Sequence, residues 1–180
     1  MLKPAQLYKE EIKKELVARW YDIRYQHYFA GARDELSIPD NAYWQRHYAY
    51  IDQHGVLTGY FCYKFNEIDK SLGNFGLIGF KHNNMDFIKE VIEHILYMFG
   101  TGQAQRAEIW AIADNRACSL YKRFAKQYGG KEVAHLRRTT YYDGLFHDSL
   151  VWEFLAEDII HSVGFNSYIS KVKISNQKSN

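Results

Sequence analysis

Residues 74–130 read NFGLIGFKHNNMDFIKEVIEHILYMFGTGQAQRAEIWAIADNRACSLYKRFAKQYGG, and the changes of period inside this stretch decide the fold. Asn74–Lys81 is a short apolar run of strand length. Asn83 or Asn84 then caps a helix whose apolar residues Phe87, Ile88, Val91, Ile92, Ile95, Leu96 and Phe99 recur at spacings of three and four. Gly100 and Gly102 end it. Ala107–Ala113 (AEIWAIA) reads as a strand buried on both faces. Asn115 caps a second helix with Ala117, Tyr121, Phe124, Ala125 and Tyr128 on one side, and Gly129-Gly130 stops it. Two strands joined through a helix need a crossover, so they run parallel. Ligands bind such a unit beyond the carboxyl ends of its strands, near helix N-termini.

The flanks add antiparallel strands. Lys131–Tyr142 and Leu145–Leu155 alternate, and Asp143-Gly144 between them is a strong hairpin signal, because a type I′ turn requires positive φ. Upstream, Gln45–Asp52 and Val56–Phe65 form a second hairpin around Gln53-His54-Gly55, and Asp69–Gly73 forms the next loop. Ile12, Leu16, Trp20, Ile23 and His27 mark an amphipathic helix over about Ala5–Phe29, broken by Gly31 and Ser37–Asn41. From about His161 the chain turns polar, and Asn176–Asn180 reads as frayed. The order is helix, β, β, β, helix, β, helix, β, β. It predicts one α/β (α+β) domain with a mixed, mainly antiparallel twisted sheet flanked by helices. That domain spans residues 1–160, with a helical part at 1–44 and a core at 45–155. Residues 161–180 form an extension.

Composition limits the function. The chain has 180 residues, 47% of them hydrophobic, and a net charge of +2, so nucleic acid and anionic membrane surfaces are not its partners. Aromatic residues reach 17% with only 2 prolines, which excludes disorder. No apolar run approaches a membrane span. MLKPAQLYKEE has no apolar core of a signal peptide. Cys62 and Cys118 form no CxxC pair, and two cysteines make no disulfide framework. The expectation is a soluble cytoplasmic protein with no metal.

Several motifs fail on context. Gly100-Thr101-Gly102 lacks a third glycine and follows a helix, so it is no dinucleotide loop. Gly73, Gly76 and Gly79 lead to no Gly-Lys-Ser/Thr. His147 and Asp148 are strand neighbours and point to opposite faces. Thr58–Phe65 (TGYFCYKF) partly echoes an aromatic RNA-binding strand, yet Thr58 stands at the basic position and Phe61 at the small one.

The order of motifs between Tyr48 and Phe154 resembles the Gcn5-related N-acetyltransferase family. HGVLTGYFCYKF looks like its second and third strands, NFGLIGF like its fourth, and ADNRACSLYKRFAKQYGG like its fifth strand and fourth helix. The resemblance implies a fold in which the fourth and fifth strands splay, and acetyl-CoA as acyl donor to a primary amine. Backbone groups at Leu77, Ile78, Gly79 and Phe80 would pair with the pantetheine arm, one N–H facing the thioester oxygen. The pyrophosphate would lie at Lys81, Asn83, Asn84, Met85, Asp86 and Phe87, on the helix N-terminus. The family's glycine-rich loop is absent there; Asn83 and Asp86 equally suit a plain helix cap. Tyr121 would protonate the departing thiolate, or serve as a core aromatic beside Phe124 and Tyr128. Asn115 would cap its helix and meet the pantetheine arm. Glu67 is the leading group for taking the amine's proton, through water.

The rival reading is a family-like fold without strong cofactor binding, acting as an interaction module. The acceptor side would be built by the N-terminal helix, the Arg33–Asn41 loop and the last hairpin, carrying Trp20, Tyr21, Tyr25, Tyr28, Tyr43, Trp44, Tyr141 and Tyr142. Such a wall suits an aromatic or cationic amine, or a homodimer contact. Phe75, Phe87, Trp110 and Phe124 read as core.

Overall fold

The hairpin of Lys131–Tyr142 (β6) and Leu145–Leu155 (β7) turns at Asp143 and Gly144 with φ of 51° and 75°, the left-handed pair that a type I′ turn requires. The structure is a computed structural model and describes residues 1–22, 38, 40–41 and 44–177. Its seven strands form one sheet in the order β1-β2-β3-β4-β5-β7-β6. The others are Leu2–Pro4 (β1), Gln45–Ile51 (β2), Leu57–Asn66 (β3), Ser71–Gly79 (β4) and Arg106–Ile112 (β5). The described α-helices are Lys9–Ala18 (α1), Met85–Gly100 (α2), Ala117–Tyr128 (α3), Ala156–Ile160 (α4) and Val163–Gln177 (α5). Every strand pair is antiparallel except β4–β5, which is parallel as the crossover requires.

The two faces of the sheet carry different layers. α2 and α3 cover one face, where Phe61, Tyr63, Leu72, Ala107, Ile109, Trp152 and Phe154 join Phe87, Leu96, Phe99 and Phe124 in the larger core. α1 covers the other face over β2–β4, where Ile12 and Leu16 meet Ala49, Tyr60, Cys62 and Ile78. Each fully buried Leu, Ile or Phe among them contributes about 1.5–3 kcal/mol by leaving water.

Three expectations are corrected, and the C-terminal stretch gains a structure that its composition left open. The α-helix at the N-terminus is shorter than the apolar spacing suggests. A 3₁₀ turn spans Ala5–Tyr8, and α1 ends at Ala18, where Arg19 leaves helical geometry. Its guanidinium there binds the Phe80 carbonyl at 3.1 Å and the Glu15 carboxylate, a tertiary anchor that competes with one more helical turn. Residues 23–37 and 42–43, with Tyr25, Tyr28, Tyr43 and most of the proposed Arg33–Asn41 loop, lie outside the described residues.

β5 is not buried on both faces. Ala107 and Ile109 enter the core, but Glu108 is only partly covered and Trp110 is 54% exposed. Trp110 is therefore not core, whereas Phe87 and Phe124 are buried and Phe75 packs against the same cluster beside Phe61 and Tyr63. The apolar look of AEIWAIA comes from an indole that no described helix covers.

The polar C-terminal stretch is helical. Ser162 Oγ accepts from the Phe165 N–H at 3.1 Å and starts α5, and Phe165, Tyr168 and Ile169 pack on the large core. Three apolar anchors at helical spacing suffice although the mean composition is polar. Residues 178–180 lie outside the described residues. Last, Tyr142 of the supposed acceptor wall is buried, while Tyr21, Trp44 and Tyr141 are exposed.

Candidate active-site cleft

β4 and β5 pair at Ser71–Arg106 and Leu72–Ala107 and then separate. Two local features drive the separation. β5 is engaged with β7 along its whole length, from Arg106–Leu155 to Ile112–Ser149. β4 carries a bulge: Cys62 and Lys64 of β3 oppose Gly76 and Gly73, so Asn74 and Phe75 face Tyr63 alone. Asn74 takes φ 49°, which Asn tolerates better than other side chains. A bulge bends its strand and strengthens its twist, so β4 turns away from β5 and a V-shaped cleft opens.

The backbone of β4 divides its groups between β3 and this cleft. Phe80 N–H donates to the Thr58 carbonyl at 2.9 Å. In an antiparallel ladder that parity repeats every second residue, so Ile78 and Phe80 bond to β3. Leu77 and Gly79 present their N–H and C=O to the cleft. Of the four backbone positions expected to bind, the geometry therefore brings two to the cleft.

The loop after β4 supplies a helix N-terminus at the open end. Asn83 adopts φ 54°, the conformation a glycine would take. Asn84 caps α2: its Oδ1 accepts from Phe87 N–H at 3.4 Å and its Nδ2 donates to the Thr58 carbonyl at 2.8 Å. The two asparagines thus share the work, one bending the loop and one tying it to β3. Met85 N–H donates to the Asn83 carbonyl. The N–H groups of His82, Asn84 and Asp86 have no acceptor among the described residues, and the helix dipole adds positive potential. Lys81, Asn83, Asn84, Met85 and Asp86 also line a cavity of about 480 Å³ with Asp52, His54, Glu90 and the amino terminus. Glu90 there holds the Met1 ammonium at 3.1 Å. Three carboxylates against Lys81 and the Met1 ammonium leave that cavity net negative, so anion binding falls to the loop N–H groups.

α3 brings Tyr121 to the same face of the sheet. Its ring lies 5.4 Å from that of Trp152. Burial first, then the neighbouring Cys118, push the phenol up to about 12, so it is protonated throughout the neutral range. Asn115 stands just before the helix, and its Oδ1 accepts from Ala117 N–H at 2.9 Å.

Glu67 lies elsewhere, in the turn between β3 and β4 at the closed end of the V. It lines a second cavity, about 540 Å³, with Arg46, Tyr48, Tyr63, Lys70 and His94. His94 accepts or donates at 3.0 Å with Tyr63 Oη, and burial lowers its pKa to about 4, so it is neutral.

Two polar groupings escaped the sequence reading. His147 Nδ1 lies 3.1 Å from Asp114 Oδ2, the Tyr142 hydroxyl donates to the same carboxylate, and the two rings stack at 3.7 Å. This group sits beside Asn115, where β5 ends. His47, 1% exposed, shares a 2.6 Å hydrogen bond with Tyr60 Oη, while its Nε2 has no partner among the described residues. Both arise from strand register, which no local pattern reveals. Among the described residues no cluster suits a metal, and no helix is long and apolar enough to cross a membrane.

No family model and no curated protein matches the chain. Solved structures do. A spermidine N-acetyltransferase chimera from Vibrio cholerae and hSSAT superposes with a TM-score of 0.61 at 18% identity, over 89% of this chain and 98% of that one. A second such chimera gives 0.55 at 21% identity, over 66% and 71%. A dodecameric structure of the Vibrio cholerae spermidine N-acetyltransferase in an intermediate state gives 0.56 at 21%, over 66% and 69%. Together with the splayed fourth and fifth strands, these superpositions give the chain the Gcn5-related N-acetyltransferase fold.

Proposed function

We propose that the chain transfers an acetyl group from acetyl-CoA to a primary amine by direct attack, without an acyl-enzyme. The observation that carries this reading is the parting of β4 and β5 after Leu72 and Ala107, which leaves the Leu77 and Gly79 backbone groups on that side without a strand partner among the described residues. An extended amide-bearing chain such as pantetheine satisfies such an edge as a strand would. The N-terminus of α2 lies at the end where its pyrophosphate would emerge. The missing loop glycine is answered by Asn83 in the left-handed region.

Each residue then has a task. Leu77 N–H stabilises the negative charge that grows on the thioester oxygen as the amine attacks, the role of an oxyanion donor. Tyr121 donates a hydrogen bond to the sulfur as it leaves. A phenol near 12 is a weaker acid than an ordinary thiol near 8.5. Complete proton transfer from Tyr121 is therefore uphill, and the sulfur's proton is finally supplied from the amine's side. Glu67, the group expected to take the amine's proton, lies at the closed end of the V, roughly 20 Å along β4 from Leu77, and would need a chain of waters to do so. His147, braced by Asp114 at the open end, is the second group built for that task. Two free buried cysteines suit a reducing compartment such as the cytoplasm.

The direct test is release of free CoA thiol when the protein is mixed with acetyl-CoA and spermidine, the amine named in the superposed structures. Amine-dependent thiol release at enzymatic rates supports the reading. No release above the rate without protein contradicts it and leaves the interaction module.

A further inference from the structure

We infer that Arg19, the residue that caps α1, is a positioning residue of the donor site: it sets the Phe80–Lys81 peptide so that the Lys81 N–H points at the donor's pyrophosphate. This rests on the acetyl-transfer reading above. Leu77 and Gly79 present their N–H groups to the cleft by the alternation of β4, and Lys81 is next in that row. β4 itself ends at Gly79. Something other than the strand ladder must carry the alternation one peptide further.

Arg19 does this from the α1 side of the sheet. Its Nη2 donates to the Phe80 carbonyl at 3.1 Å, and its guanidinium lies over the Phe80 ring, 5.3 Å from the centroid. Nη1 is held at the same time by the Glu15 carboxylate and by the Glu15 carbonyl at 2.9 Å. Among the described residues no backbone N–H donates to the Phe80 carbonyl. The Phe80 N–H, by contrast, keeps its ladder bond to the Thr58 carbonyl at 2.9 Å, and that carbonyl also accepts from Asn84 Nδ2 at 2.8 Å. The loop is thus tied at both ends, by Arg19 at its start and by Asn84 where α2 begins.

The peptide plane converts this anchor into a direction. In a planar trans peptide the C=O and the N–H point opposite ways. With the Phe80 carbonyl held by Arg19, the Lys81 N–H points away from it, and that N–H has no acceptor among the described residues. A carbonyl that accepts from a cation also polarises its own peptide, which strengthens the N–H as a donor to an anion. Lysine cannot replace the arrangement, because one ammonium lacks the planar fork that serves Glu15 and Phe80 together.

Measurements on the full chain test this. Arg19→Ala and Arg19→Lys should each weaken acetyl-CoA about tenfold by calorimetry. Both should bind S-acetylpantetheine, which lacks the pyrophosphate, within about twofold of wild type, read from the broadening of its NMR resonances. Equal losses for the two donors, or wild-type acetyl-CoA affinity in either variant, overturn the inference. Should Arg19→Ala lose its cooperative melt, Glu15→Gln decides. It keeps the guanidinium with a weaker brace, and should weaken acetyl-CoA about threefold with S-acetylpantetheine unchanged; no such split overturns the inference. If acetyl-CoA gives no heat with wild type, the transferase reading fails, and the anchor is judged by amide exchange. The Phe80 N–H should then exchange about threefold faster or more in Arg19→Lys, with Ile78 unchanged; equal exchange at Phe80 in the two proteins overturns the inference.

Discussion

Leu72 of β4 and Ala107 of β5 form the last rung between the two parallel strands; beyond it the sheet is open. Everything assigned to the chain depends on what that opening exposes. Leu77 and Ile78 are adjacent, but their N–H groups point in opposite directions, one into the cleft and one to β3.

That difference can be read with proline, which removes an N–H donor and is tolerated only where the ladder does not need it. Leu77→Pro should keep a cooperative melt and lose at least tenfold in acetyl-CoA affinity, measured by calorimetry. Ile78→Pro should break the pairing with Tyr60 and lower the urea midpoint sharply. The same stability loss in both variants would show that the parity assigned to β4 is wrong.

Tyr121 is expected to act on the departing sulfur rather than on binding. Tyr121→Phe should lower kcat about 10²-fold and shift acetyl-CoA affinity less than threefold. Because burial holds the phenol near 12, its ionisation should cause no fall in rate up to about pH 10. Parallel losses in affinity and rate would make it a packing residue against Trp152.

Asn83 substitutes for a glycine through its left-handed φ. Asn83→Gly should leave stability within a few tenths of a kcal/mol and keep acetyl-CoA binding. Asn83→Val should cost about 1–2 kcal/mol in chemical denaturation and weaken acetyl-CoA, because the loop must then leave that conformation. Equal behaviour of the two variants would remove the loop from the anion site.

His47 makes stability depend on pH. Burial lowers its pKa to about 4 from the ordinary 6.5, so between these values the unfolded chain binds a proton that the folded chain refuses. Stability is therefore complete above about pH 6.5 and falls as pH drops toward 4, by up to about 3 kcal/mol. His94, lowered to about 4 by the same cause, adds a second slope in the same direction. Urea midpoints between pH 7.5 and 4.5 should fall, and His47→Phe should remove about half of the dependence. An unchanged slope would mean that His47 is protonated without cost.

The legible parts of this fold are those set by neighbours in sequence. The β6–β7 hairpin follows from Asp143-Gly144, and α2 follows from Asn84 and its apolar stripe, because caps and turns are chosen locally. β1 escaped notice because three residues at a sheet edge, one of them proline, show no alternation. Trp110 was misread because apolar character does not say which face of a strand has a layer over it. Glu108 at alternate spacing, on the same face, was the available hint. At the site, Asn115 and Tyr121 were legible as residues. Their geometry, the sharing of work between Asn83 and Asn84, and the partners of His47 and His147 depend on strand register and on a bulge, which are properties of the assembled sheet.

On the proposed function, the cleft beyond Leu72 and Ala107 receives the pantetheine arm of acetyl-CoA. The most direct measurement is a calorimetric titration of the full chain with acetyl-CoA, with amide hydrogen exchange of β4 followed in the same samples. Binding should give saturable heat, a raised Tm, and slowed exchange at Leu77 and Gly79, while Ile78 and Phe80, already bonded to β3, change little. No heat and no Tm shift at millimolar acetyl-CoA would contradict it.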